Sequence, residues 1–104
     1  MSRPVTIDVP HALGAAEARR RVEAGFGRLE AQLTGLGVSG IEKRWEGDRL
    51  HFSGRALGQA LGGRLDVLAD VLRVELDLPA VLAMLAGRFR EAVGKGGRLL
   101  LEKR

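Results

Sequence analysis

The sequence predicts an α+β fold: a five-stranded antiparallel sheet with two helices packed on one face, in the order β-α-β-β-β-β-α. Three observations carry this. Apolar and polar residues alternate at the start of the chain, as in a strand with one buried face. Apolar residues then recur every three or four positions over a long stretch, as in an amphipathic helix. In the middle, charged and apolar residues alternate around short turn signals, as in consecutive hairpins, which build an antiparallel sheet. At 104 residues the chain is read as one domain, residues 1–104, with a small core.

In "PVTIDV" (4–9), Val5, Ile7 and Val9 point one way and Thr6 and Asp8 the other, and Pro10 ends the strand. From Ala15 the period changes. Ala15, Ala18, Val22, Phe26, Leu29, Leu33 and Leu36 form one stripe on a long helix, with Arg19, Arg20, Glu23, Glu30 and Gln32 largely outside it. Gly25 and Gly27 each weaken that helix by up to about 1 kcal/mol relative to Ala, and "GLGVSG" (35–40) stops it.

The stretch "RWEGDRLHFSGRALG" (44–58) reads as a hairpin. With Gly47-Asp48 at the turn, Glu46 pairs with Arg49, Trp45 with Leu50, Arg44 with His51, Lys43 with Phe52 and Ile41 with Gly54. Ile41, Trp45, Leu50 and Phe52 then share one face, while Glu42, Arg44, Glu46, Arg49, His51, Ser53 and Arg55 share the other. A one-residue slip would scramble that separation. A second hairpin turns at Ala69-Asp70 and pairs Val67 with Leu72, Asp66 with Arg73, Leu65 with Val74 and Arg64 with Glu75. "GQALGG" (58–63) is expected to join the hairpins, with a bulge or bend at Gly62-Gly63.

Pro79 closes the last strand and suits the first turn of a helix. Leu82, Leu85, Phe89 and Ala92/Val93 are that helix's stripe, and "GKGG" (94–97) is expected to break or fray it, with 94–104 a basic tail that either resumes a helix or stays mobile. The element order resembles a reduced helix-grip fold, in which a curved sheet wraps a C-terminal helix and often holds apolar ligands.

Composition narrows the chemistry. There is no Cys, which excludes disulfides and thiolate metal sites and fits a reducing compartment. No apolar run has signal-peptide length or approaches the roughly 20 residues of a membrane span, so a cytoplasmic protein is expected. His11 and His51 are far apart in sequence, no Ser sits in a nucleophile elbow, and the carboxylates have basic partners in the ladders. "VGKGGR" lacks phosphate-loop spacing. No catalytic residue, metal site or cofactor is therefore expected, and the chain reads as not an enzyme; action on hydroxyacyl thioesters is the weakest reading. Nucleic acid is not expected either: aromatics are 4% of residues, and Trp45 and Phe52 fall on the covered face.

Two binding surfaces remain. A cavity between sheet and last helix, lined by Trp45, Phe52, Leu65, Val74 and Phe89, would suit a hydroxyacyl, fatty-acyl or other apolar group. The C-terminal segment offers a second. Residues 86–104 carry six basic and two acidic groups, a net +4 that equals the charge of the whole chain. There Arg98, Leu99, Leu100, Leu101, Lys103 and Arg104 form a candidate contact for a hydrophobic surface or for self-association into a homo-oligomer.

Taken together, "VPHALGAAEARRRVEAGF", "RWEGDRLHFSGRALGQALGGRLDV", "LRVELDLP" and "GRLLLEKR" resemble the polyhydroxyalkanoic acid system family, small bacterial proteins often encoded near genes for storage-polyester synthesis or granule proteins. The resemblance implies a non-enzymatic accessory role in polyhydroxyalkanoate metabolism, with the granule surface or granule proteins as partners and a location at storage granules. It carries no catalytic residues across.

Overall fold

The computed structural model describes residues 2–102, with side chains from Pro4 onward. The first strand, β1 (Ser2–Pro10), leads into the long helix α1 (Ala15–Thr34). Four strands follow, β2 (Ser39–Glu46), β3 (Arg49–Ala56), β4 (Gln59–Val67) and β5 (Val71–Pro79), then a 3-10 segment (Ala80–Leu85) and α2 (Ala86–Leu101). The sheet order is β1-β5-β4-β3-β2, with every neighbouring pair antiparallel. The last four strands form a meander, and β1 closes its far side against β5.

Local chemistry sets each boundary. The last turn of α1 closes in a Schellman arrangement: the Val38 N–H reaches the Leu33 carbonyl (3.1 Å), the Gly37 N–H reaches that of Thr34 (2.9 Å), and Gly37 takes φ +92°. The hairpin turns follow the expected registers, with Glu46 opposite Arg49, Trp45 opposite Leu50, and Val67 opposite Leu72. Gly47 takes φ +61° at the first turn position, where a two-residue hairpin favours Gly.

Four local expectations are corrected. Residues 58–63 are not a connector, because β3 and β4 form a third hairpin, turning at Leu57-Gly58, with Ala56 opposite Gln59. Gly62-Gly63 makes no bulge. Gly63 lies directly opposite Phe52, whose ring occupies the space a side chain would need: an added Cβ would sit 2.6 Å from Phe52 Cζ. The bulge lies instead in β2, where the register shifts between Ser39 and Glu42 and Gly40 takes φ +62°, so Ile41 does not form a regular pair with Gly54.

The fourth correction concerns "GKGG". These glycines neither break nor fray the last helix, which runs through them to Leu101. Gly96 lies against α1, where an added Cβ would come within 2.8 Å of Leu29 Cα. Gly25 of α1 plays the matching part, since a Cβ there would lie 3.0 Å from the Leu100 carbonyl oxygen. Two antiparallel helices thus approach backbone to backbone at positions where only Gly leaves room. The end of α2 is then fastened by α1: Arg21 Nη1 donates to the Leu101 carbonyl (2.7 Å), and Arg28 Nη1 to those of Leu99 (2.5 Å) and Glu102 (3.2 Å). These guanidinium groups satisfy carbonyls that a helix end leaves open, and place positive charge at its negative pole.

Both helices cover the same sheet face. Phe26 of α1 packs on Phe52, ring centroids 6.0 Å apart, and α2 lies next to β1, where Gly97 faces Val9. Leu29, Leu50, Leu65, Leu72, Val74, Leu76, Leu78, Leu82 and Val93 fill the space between, all fully buried.

The sheet's two edges are both obstructed. At the end of the β1–β5 ladder, His11 N–H donates to the Asp70 carbonyl (3.0 Å), so odd residues of β1 turn their backbone groups to β5 and even ones turn theirs outward. The outward positions include Pro4 and Pro10, which have no N–H, and Thr6, whose carbonyl already accepts from Arg90 Nη1 (3.1 Å). On the opposite edge, β2 carries its bulge and directs Lys43 to the helix side, with Nζ 4.8 Å from the Phe26 ring centroid.

Candidate functional site

Of the residues expected to line an inner pocket, Trp45, Phe52, Leu65 and Val74 lie on the helix-covered face of the sheet and Phe89 lies on α2, and Phe52 and Phe89 border different hollows. Leu65 and Val74 oppose each other at the centre of the core at 0% exposure, and Phe89 is 1% exposed. Phe52 is buried against Phe26 and borders a surface depression shared with Lys43, Arg44 and His51. Phe89 borders a different cavity of about 130 Å³, with Gly35, Leu36, Leu85 and Arg88. Trp45 lies half-buried at the sheet edge, where the Arg19 guanidinium stacks 4.0 Å from its ring centroid.

The C-terminal contact residues divide. Arg98 is exposed and Leu99 half-buried, while Leu100 and Leu101 are buried against α1. Lys103 and Arg104 lie outside the described residues. The leucine run expected to meet an outside surface is therefore spent largely on the core.

Exposed apolar side chains occur elsewhere. Met84 is 88% exposed, Leu57 73% and Val81 55%. Val81 and Met84 are three residues apart in a 3-10 segment, a spacing that eclipses side chains on one face. Leu57 sits in the β3–β4 turn at the same end of the sheet, and between that turn and the 3-10 segment runs an open groove of about 600 Å³ lined by Ala60, Leu61, Pro79, Ala80 and Val81. Leu57 also takes φ +52°, a left-handed conformation that a Leu adopts only at a cost. The sequence signal for this end was the Leu-Gly pair itself, which reads as a connector unless Leu is allowed a positive φ.

The two histidines have structural partners. His11 Nδ1 accepts from the Leu13 N–H (3.2 Å), so its Nε2 carries the proton and donates to the Leu68 carbonyl (3.1 Å). His51 Nε2 lies 2.8 Å from Glu46 Oε1, and this hydrogen bond holds the Glu46 carboxyl below its ordinary range. The open sheet face around them is charged. One cross-strand row alternates in sign over all five strands: Asp8, Arg73, Asp66, Arg49, Glu46. Arg73 Nε meets Asp8 at 2.9 Å and Arg49 Nε meets Asp66 at 2.6 Å. Arg64 joins Asp77 (3.0 Å) and Glu75 (3.6 Å) nearby.

The outer side of α2 differs. Arg88, Arg90, Lys95 and Arg98 line an open groove of about 960 Å³ that also takes in Ile7 of β1, Leu36 after α1, and Ala92. Among the described residues none of these four cations has a carboxylate within ion-pair distance. Among the described residues no helix is long and apolar enough to cross a membrane.

No curated protein matches the chain. The crystal structure of TTHA0849 from Thermus thermophilus is similar at 12% identity and a TM-score of 0.40, over 95% of this chain and 92% of that one, a likeness too distant to support any inference. The family model for polyhydroxyalkanoic acid system proteins matches residues 5–99, from the first strand to the last turns of α2, and the chain belongs to that family.

Proposed function

We propose that the chain is a non-enzymatic accessory protein of polyhydroxyalkanoate metabolism, located in the cytoplasm at the surface of the storage granule. The family match ties it to the polyester system. The observation that carries the granule-surface reading is the apolar end, where Met84 is 88%, Leu57 73% and Val81 55% exposed beside a groove lined by Ala60, Pro79 and Ala80. A polyester is uncharged and largely apolar, and removing about 100 Å² of apolar side chain from water is worth roughly 2.5 kcal/mol. Contact through this end leaves the charged sheet face and α2 in water. Leu100 and Leu101 do not take part, because they already pack against α1.

The test is sedimentation of purified protein with isolated polyhydroxyalkanoate particles. Wild-type protein co-sediments, and the variant Leu57→Asn, Val81→Glu, Met84→Glu stays in the supernatant while keeping its circular dichroism spectrum. Equal sedimentation of the two, or none by either, overturns the reading.

A further inference from the structure

Many arginines elsewhere on this molecule are matched by carboxylates, as Arg49 is by Asp66, Arg73 by Asp8, Arg64 by Asp77 and Arg21 by Glu17, while Arg28 and Arg55 bond to backbone carbonyls. On the outer side of α2, Arg88, Arg90, Lys95 and Arg98, none of them ion-paired among the described residues, gather around one groove. Arg88, Glu91, Lys95 and Arg98 follow at gaps of three, four and three residues, so they share one helix face. At about 1.5 Å per residue, the three cations span about 15 Å. The groove they line is apolar at Ile7, Leu36 and Ala92. The groove also takes in Thr6, Gln32, Glu91 and Asp8, the last already paired with Arg73, so its four cations outnumber its carboxylates and the excess positive charge favours an anionic partner.

We infer that this groove docks an amphipathic helix of a second protein, one whose charges repeat the three-four-three spacing beside an apolar stripe, with carboxylates opposite Arg88, Lys95 and Arg98 and a Lys opposite Glu91. Charge complementarity selects this occupant over a nucleic acid. Glu91 interrupts the cation row between Arg88 and Lys95; a phosphate backbone meets it with repulsion, whereas a peptide can oppose it with Lys. The groove also lacks the aromatic side chains on which single strands stack. The docked helix follows the helix-in-groove mode, with apolar anchors on the floor and a charged flank. This inference stands independently of granule binding, since the groove and the apolar end share no residue.

The test titrates the isotope-labelled full chain with a synthetic helical peptide of about fourteen residues, about 21 Å long at helical rise. It carries Glu, Lys, Glu and Glu at the required gaps beside a Leu/Ala stripe. A scrambled peptide and a single-stranded oligonucleotide of equal charge are the controls. The peptide is expected to shift amide signals of Leu36, Ala92 and Lys95, and Arg88→Glu with Arg98→Glu to weaken it about ten-fold, because two exposed attractions become repulsions. Glu91→Lys weakens the peptide and strengthens the oligonucleotide. Absence of shifts on α2, equal binding of the scrambled peptide, or tighter binding of the oligonucleotide to the wild-type chain overturns the inference.

Discussion

Replacing Gly96 by Ala tests how the C-terminal helix is built. The new Cβ would sit 2.6 Å from Leu29 Cδ1 and 2.8 Å from Leu29 Cα. The leucine methyl can rotate aside, but the Cα belongs to the α1 backbone. Carbon atoms prefer about 3.5–4.0 Å, so α1 must retreat by about 0.7 Å or more. That retreat also loosens the contact at Gly25, whose Cβ position is 3.0 Å from the Leu100 carbonyl oxygen. Overpacking of this kind costs about 1–3 kcal/mol, against a gain of about 1 kcal/mol for Ala over Gly in a helix. Gly27→Ala is the control, because it lies on the exposed side of α1 with nothing within 4 Å and keeps only the gain. Urea unfolding should separate the two variants by about 1–3 kcal/mol, with Gly27→Ala above wild type. If Gly96→Ala is as stable as Gly27→Ala, the two helices do not meet backbone to backbone.

Leu57→Asn relieves a left-handed residue that bears a bulky side chain and creates the Asn-Gly pair favoured in such turns; it should raise stability by about 1 kcal/mol in the same unfolding assay while weakening granule association. Phe89→Ala empties a 1%-exposed core position and should cost about 3–5 kcal/mol, which differential scanning calorimetry would register as a drop of well over 10 °C in Tm. Arg28→Ala removes the donor to the Leu99 and Glu102 carbonyls, so amides at the end of α2 should exchange faster with solvent, while those of β4 and β5 change little. Glu17 is held below the ordinary carboxylate value of 4.5 by hydrogen bonds from Arg20 and Arg21, and Glu46 is held below it by His51. A lowered folded-state pKa contributes stability that is fully present above the unfolded value and is lost as pH falls through the folded one. Denaturation midpoints should therefore decline below about pH 4.5, and Glu46→Gln should flatten that decline.

Hairpin pairing was legible because two independent signals agreed. Period-two burial placed Trp45, Leu50 and Phe52 on one side, and charge complementarity placed Arg73 opposite Asp66 and Arg64 opposite Glu75. The stripes of both helices were legible for the same reason: every stripe position from Ala18 to Leu33 in α1, and Leu82, Phe89 and Val93 later, is buried. Glycine was not legible. Its local effect is to weaken a helix, and only its partner across the fold shows why it is there. Gly25 and Gly96 are 71 positions apart and make sense only as two sides of one crossing. Gly63 likewise needs Phe52 above it. The candidate sites followed the same divide. A run such as Leu99–Leu101 reads as surplus grease until Arg21 and Arg28 are seen drawing it down, whereas Leu57 reads as ordinary until its φ of +52° is known.

The two obstructed sheet margins bear on what crowding does to this molecule. A flat β-structure gathered densely on a particle invites neighbour-to-neighbour stitching into ribbons. Here a newcomer's backbone would find prolines and an occupied carbonyl along one rim, and a kink with a buried-side ammonium along the other. Were the chain to coat a granule as proposed, crowding alone would not stitch it into fibre.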